Sequence, residues 1–80
     1  MDKVSNLIAA IRRKCEDAQE FAGLANTYTY NDPIDRNTLE VVESNLEEAR
    51  VILFSAMKEC EEIRSVLGIP RYGKDVTWNL

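Results

Sequence analysis

Residues 39–67, LEVVESNLEEARVILFSAMKECEEIRSVL, decide the fold. Apolar residues recur in this stretch at alternating steps of three and four. The positions of this apolar seam are Leu39, Val42, Leu46, Ala49, Leu53, Ala56, Cys60, Ile63 and Leu67. Such spacing aligns the side chains in one narrow stripe, which is typical of a helix that lies along another helix. We therefore predict a long helix over about residues 38–67, ended by Gly68 and Pro70.

A shorter helix is predicted upstream, over about residues 3–25, with Asp2 as its N-cap. Its seam is Val4, Ile8, Ile11, Cys15, Ala18, Ala22 and Ala25. Gly23 and Asn26 are residue types that end helices. Since a short connection makes two helices antiparallel neighbours, the fold class is all-α. We predict one domain over residues 1–80, an antiparallel two-helix hairpin followed by an extended, irregular tail over residues 69–80.

The connection leaves the start of the second helix open between residues 33 and 38. Threonine and tyrosine alternate over residues 27–30, which favours an extended segment. Asp32 followed by Pro33 is one start signal. Asn37 followed by Glu40 is another, a capping box.

Composition excludes several classes of protein. The chain has 80 residues and a formal charge of −4, which argues against general DNA or RNA binding. Its apolar runs are too short to span a membrane and its start lacks the order of a signal peptide, so we expect a cytoplasmic protein. Two cysteines without any histidine make a metal site improbable. Cys15 and Cys60 both fall on the seams and, with the chain folded near residue 32, lie too far apart for an intrachain disulfide.

One hairpin cannot cover the middle of the longer helix. Six of the seven residues 51–57 are apolar, so apolar side chains point in every direction around the axis. A helix that is apolar all round is normally buried all round. We therefore expect Val51, Phe54 and Met57, with Trp78 of the tail, to form an oligomer interface. A dimeric four-helix bundle is the minimum assembly, and a larger ring is an alternative.

Neither catalytic residues nor a phosphate-binding loop can be identified, so we expect a non-enzymatic protein without a cofactor. Its acidic clusters are typical of solvated helix faces. The remaining function is binding, because the connection and the tail are rich in aromatic rings, hydroxyls and cations. The candidate ligand-binding residues are Arg12, Arg13, Thr27, Tyr28, Tyr30, Arg71, Tyr72, Lys74 and Trp78. Rings that stack on bases and cations that pair with phosphates suit an anionic nucleotide held at a subunit boundary.

Each of these features also has a simpler explanation. Arg12 with Glu16, and Arg13 with Asp17, have the spacing of exposed ion pairs on one helix face. In the alternative explanation, the tyrosines and Trp78 pack at the oligomer interface and bind no ligand. In that alternative the protein is an interaction module, an inhibitor or adaptor that docks on a protein through its second helix or its tail.

The organisation resembles the small two-helix proteins that phages use to sequester cyclic-nucleotide immune signals. The matching features are the run Ile8-Ala9-Ala10-Ile11-Arg12, a connection that contains threonine, and Ile63-Arg64-Ser65-Val66 shortly before Pro70. The resemblance implies a self-associating hairpin that holds a cyclic nucleotide between subunits and serves in evasion of immunity. The long tail that contains Trp78 has no counterpart in it.

Overall fold

The chain forms a hairpin of two long antiparallel helices. The computed structural model describes residues 2–31 and 33–70. Within these ranges α1 spans Lys3–Tyr28 and α2 spans Arg36–Leu67, and no strand is present. The predicted all-helical hairpin is therefore confirmed. Most of the predicted irregular tail, from residue 71 onward, lies outside the described ranges.

The first helix begins where the sequence predicts but ends three residues later. The Asp2 carboxylate accepts a hydrogen bond from the Val4 amide at 3.1 Å, as expected of an N-cap. Gly23 and Asn26 do not end the helix. Thr27 is helical, not extended, and its hydroxyl donates to the Gly23 carbonyl at 2.9 Å. A threonine can satisfy a helical carbonyl in this way, so the alternation of threonine and tyrosine does not force a strand.

The second helix begins inside the predicted interval, but its N-cap is Asp35 and not Asn37. The other predicted start signal, Asp32, lies outside the described residues. The Asp35 carboxylate accepts from the Thr38 amide at 2.7 Å. The C-terminal end agrees with the prediction. Gly68 has a φ of 68°, a left-handed conformation that favours glycine, and its amide donates to the Arg64 and Ser65 carbonyls.

The N-cap of α2 is expected to make stability depend on pH. The hydrogen bond from Thr38 lowers the pKa of Asp35 below its usual 3.8. Its stabilising contribution is therefore full above the unfolded-state pKa and is lost as the pH falls through the lower folded-state pKa. We expect Asp35→Ala to lower the melting temperature at neutral pH, with a smaller difference from wild type in strong acid. Asp35→Asn is the matched control, because asparagine caps helices without a charge. An equal loss for both variants at neutral pH would contradict the capping role.

The most deeply buried residues between the helices have small side chains. Only five described residues are buried: Ala18 and Ala25 on α1, and Val42, Ala49 and Ala56 on α2. They are seven residues apart on each helix, so they form two facing columns. Alanine lets two helix axes approach closely, but it contributes little apolar area. No leucine, isoleucine, phenylalanine or methionine is fully buried within residues 2–31 and 33–70.

The predicted seam of α2 is half correct. Its Val42, Ala49 and Ala56 face α1, whereas its leucines lie to one side of the contact. Leu39, Leu46, Leu53 and Leu67 are 46%, 50%, 42% and 54% exposed, and Cys60 is also exposed. The opposite flank turns inward instead, where Asn45, Ile52 and Glu59 are half-buried. The alternating pattern correctly predicts one column of the seam, but assigns the wrong neighbouring column to the hairpin contact.

Candidate docking surface

An exposed apolar surface runs along one side of the hairpin. On α2 it is made by residues at steps of seven: Leu39, Leu46, Leu53, Cys60 and Leu67. On α1 it is made by Ile8, Cys15 and Ala22, also at steps of seven and also exposed. In each helix these residues lie four positions after the buried column, which turns both sets toward the same side of an antiparallel pair. We call this surface the leucine face.

The two halves of the leucine face meet along a groove. The groove has a volume of about 300 Å³ and is lined by Cys15, Ala18, Gln19, Ala22, Ala49 and Leu53. The α1 wall is mostly small residues, and on the α2 side Leu53 is the large residue. Cys15 of α1 and Ala49 of α2 line the same stretch of the groove. The leucine face is therefore uneven, with a ridge on α2 beside a hollow on α1.

The residues predicted for the oligomer interface lie at different angles from this ridge. Met57 is half-buried and about 40° around the helix from Leu53. Phe54 is 46% exposed, about 100° away, and the Lys58 amine lies 5.5 Å from the centre of its ring. Val51, 53% exposed, is about 160° away. Met57 belongs beside the leucine face, Phe54 at its rim, and Val51 on the outer surface. Trp78 lies outside the described residues.

The other side of the hairpin holds a polar cluster that the sequence did not reveal. The Lys14 amine donates to the Ser55 hydroxyl at 2.7 Å and to one carboxylate oxygen of Glu59. The side chains of Lys14 and Glu59 are only 28% and 16% exposed. The second carboxylate oxygen, Oε2, is buried and has no partner among the described residues. The sequence signal that could have predicted this cluster is the presence of polar residues beside the apolar seams of both helices. This Lys14 cluster distinguishes one side of the hairpin from the apolar other side.

Exposed ion pairs form both between the helices and within α2. Lys3 pairs with Glu62 across the helices at 3.1 Å, and Arg50 pairs with Glu47 on α2 at 2.5 Å. The hydrogen bond between the latter two lowers the pKa of Glu47 and raises that of Arg50. In the described part of the chain, the ion pairs predicted for Arg12 and Arg13 do not form. Both arginines are exposed on α1 and their guanidinium groups face solvent.

The candidate ligand-binding residues are not gathered in one place within the chain. Arg12 and Arg13 lie near the middle of α1. Tyr28 is at its end, about 24 Å from Arg12 along the axis. The Thr27 hydroxyl donates to the Gly23 carbonyl of its own helix, and Tyr30, in the connection, is 79% exposed. Arg71, Tyr72, Lys74 and Trp78 lie outside the described residues. The structure brings none of the described candidates together.

Both cysteines are free and exposed. Both were predicted to fall on the seams, but the flank that carries them is the exposed leucine face and not the contact between the helices. Among the described residues, no group of cysteine, aspartate and glutamate has the arrangement of a metal site. Within the same part of the chain, neither helix is both long enough and apolar enough to cross a membrane.

Comparisons with protein-family models, with curated protein sequences and with solved structures found no significant match. The assignment of a function therefore depends on the geometry of the leucine face and on the chemistry of its borders.

Proposed function

We propose that this protein is a non-enzymatic interaction module that acts through the leucine face, and that its first partner is a second copy of itself. The observation that supports this is the inverted distribution of apolar residues. The residues enclosed by the hairpin are four alanines and a valine, whereas four leucines of α2 remain about half exposed. Burial of apolar area is the main favourable term in folding, and a single hairpin leaves about half of the area of these four leucines exposed.

A second layer of helices packed on the leucine face would bury its exposed apolar area. Stable domains normally consist of at least two packed layers of secondary structure, and one hairpin is a single layer. Fully burying a leucine side chain is worth about 1.5–3 kcal/mol, so completing the burial of four half-exposed leucines in each copy is worth several kcal/mol. That is a substantial fraction of the stability of a small domain, which is about 5–15 kcal/mol.

The borders of the leucine face favour a second copy over an unrelated helix. Arg12 on α1 and Glu43, Arg50 and Arg64 on α2 flank the face, so both signs of charge are present. The ridge and the hollow belong to the same surface. A surface that carries both signs and both shapes can match itself after a two-fold rotation, which is the usual symmetry of homodimers. We therefore propose a dimeric four-helix bundle.

The mass of the purified protein in solution tests this proposal. Sedimentation equilibrium should give twice the chain mass of 9.1 kDa, or a higher even multiple. The helical signal in circular dichroism should decrease on dilution below the dissociation constant, because folding and association are linked. A monomer that stays fully helical at every concentration would refute the proposal.

A second proposal is that the assembly sequesters an anionic nucleotide. The observation that favours it is that Arg12 and Arg13 are exposed without an ion pair in the described part of the chain. A ligand at a hundredfold excess over its dissociation constant stabilises by about 2.7 kcal/mol. A set of cyclic nucleotides should therefore include one that raises the melting temperature, and Arg12→Ala should reduce the shift. If none produces a shift, this second proposal fails while the interaction module stands.

A further inference from the structure

The groove of the leucine face is open in the single hairpin and has the size of a binding site. Its α1 wall carries the small residues Cys15, Ala18 and Ala22, so a hollow of about 300 Å³ lies beside Leu53 of α2. This volume is at the lower end of the range for pockets that hold small ligands, about 300–1,000 Å³. An aromatic side chain has an apolar area of about 150–250 Å² to bury. The hollow therefore suits one large aromatic ring.

The end of α2 directs the chain that follows it toward this groove. The left-handed Gly68 turns the backbone away from the helix, and the Ile69 amide donates to the Arg64 carbonyl at 3.0 Å. The Arg64 guanidinium also donates to the Pro70 carbonyl at 2.7 Å. Arg64 is half-buried and lies about 40° around the helix from Cys60, at the border of the leucine face. The chain therefore leaves α2 beside the leucine face.

The distance from Arg64 to the groove matches the length of the tail. Leu53 and Ala49 line the groove eleven and fifteen residues before Arg64, which is about 16–23 Å along the helix axis. Val76 and Trp78 are six and eight residues beyond the last described residue, and an extended chain spans about 20 and 26 Å over these lengths. A tail that folds back along α2 therefore brings both residues to the groove.

The sequence of the tail favours an extended segment with one apolar side. In residues 75–80, DVTWNL, the apolar residues Val76, Trp78 and Leu80 alternate with polar ones. Successive side chains of an extended segment point to opposite sides, so the three apolar residues share one side. Valine, threonine and tryptophan also favour extended backbone. Trp78 is the largest of the three apolar residues and lies at the middle of this side.

We infer that the groove of the leucine face is the docking site of the chain's own tail, residues 71–80, with the Trp78 ring in the hollow beside Ala18 and Ala22. The tail and a second copy then compete for one surface. The tail covers only the middle of the leucine face, so it stabilises a single chain less than a second copy does. The docking is independent of the proposed self-association, whereas the competition rests on it.

Tryptophan fluorescence tests the docking, because Trp78 is the only tryptophan of the chain. When the 80-residue chain is diluted until it sediments as single chains, the emission should lie at shorter wavelength than in urea, and iodide should quench it less. Ala22→Leu should reduce both differences, since Ala22 is exposed and the added atoms fill the hollow. Ala9→Leu is the matched control. Ala9 is exposed on the opposite side of α1 from Ala18, so this variant should keep the wild-type emission.

Three results would overturn the docking. The first is a Trp78 emission in single chains equal to that in urea. The second is an emission shift that develops only as the chains associate, because a second copy would then cover the ring. The third is an equal change in Ala22→Leu and Ala9→Leu, which would remove the ring from the hollow.

The dissociation constants of two tail variants test the competition. If the tail is docked in about two of every three folded single chains, it raises the dissociation constant of the dimer about tenfold, because both copies must expose the groove. Trp78→Ala should lower the constant by that factor. Asn79→Ala, on the polar side of the tail, should leave it unchanged.

A Trp78→Ala variant that associates as weakly as wild type, or more weakly, would overturn the competition. The weaker association would support the predicted role of Trp78 in the oligomer interface. A wild-type protein that sediments as a single chain at every concentration would refute the proposed self-association instead, and the fluorescence of Trp78 would still decide whether the tail is docked.

Discussion

Replacing Leu53 by glutamate is expected to convert the proposed dimer into single chains, raising its dissociation constant roughly thousandfold, or about 4 kcal/mol. Leu53 is 42% exposed in the single hairpin and lies at the centre of the leucine face. Two-fold symmetry places two copies of the substitution in one interface. Each loses about 1 kcal/mol of apolar burial and adds the cost of removing a carboxylate from water. Sedimentation equilibrium over a range of concentrations measures the change.

Val51→Glu is the matched control for this substitution. Val51 is more exposed than Leu53, at 53%, and the variant carries the same added charge only two residues away. It lies on the outer surface of α2, so its dissociation constant should stay within about threefold of wild type, as is usual for substitutions outside an interface. The opposite result, with Val51→Glu dissociating the assembly and Leu53→Glu leaving it unchanged, would move the interface to the outer surface of α2.

Replacing Lys14 by methionine is expected to destabilise the fold by about 2 kcal/mol. Methionine keeps the length of the side chain but removes the charge, so the mostly buried Glu59 carboxylate loses its cation. Breaking a fully buried ion pair costs about 3–5 kcal/mol, and we take a smaller value because Lys14 is 28% exposed. For a chain of this size the melting temperature should fall by roughly 10 °C at fixed protein concentration.

Two further variants test whether the loss of stability comes from breaking a mostly buried ion pair or would follow from breaking any ion pair. Lys3→Met removes the exposed pair with Glu62 and should change stability by less than about 0.5 kcal/mol. The double variant Lys14→Met, Glu59→Met replaces the pair by apolar groups and should recover most of the loss, since two matched apolar residues often replace a buried pair without cost. A double variant as unstable as the sum of its single variants would show that Lys14 and Glu59 act independently.

The helices themselves could be predicted from the sequence because their signals are local. Asp2 and Gly68 are strong end signals, and each has its predicted role in the structure. The errors occur where several local signals compete. Asp32, Asp35 and Asn37 can all cap a helix, and which of them does so depends on how far α1 extends before the chain turns. That extension is set by contacts between the helices, which no local pattern contains.

Which side of α2 faces α1 could not be predicted from periodicity, because both neighbouring columns fit the alternating pattern. Hydrophobicity favours the leucine column, but two helices approach most closely where both present alanine. Ala49 and Ala56 therefore face α1, and Lys14 draws the flank of Ser55 and Glu59 inward by direct hydrogen bonds. With these residues turned toward α1, the leucine column is left exposed on the other side of the contact. The position of the leucine face depends on how the two helices pair, and the apolar pattern of one helix alone does not predict that.

The small size of the five buried residues has a consequence for how the protein behaves in a cell. Since the five buried residues are four alanines and a valine, the proposed dimer would supply a large part of the apolar burial that stabilises the chain, and would do so only when two molecules meet. Folding would then be coupled to dimerisation, and the concentration of the protein would determine the fraction of chains that is folded. A cell that produces little of it would hold mostly unstructured chains open to proteolysis, so synthesis rate alone could switch the activity on.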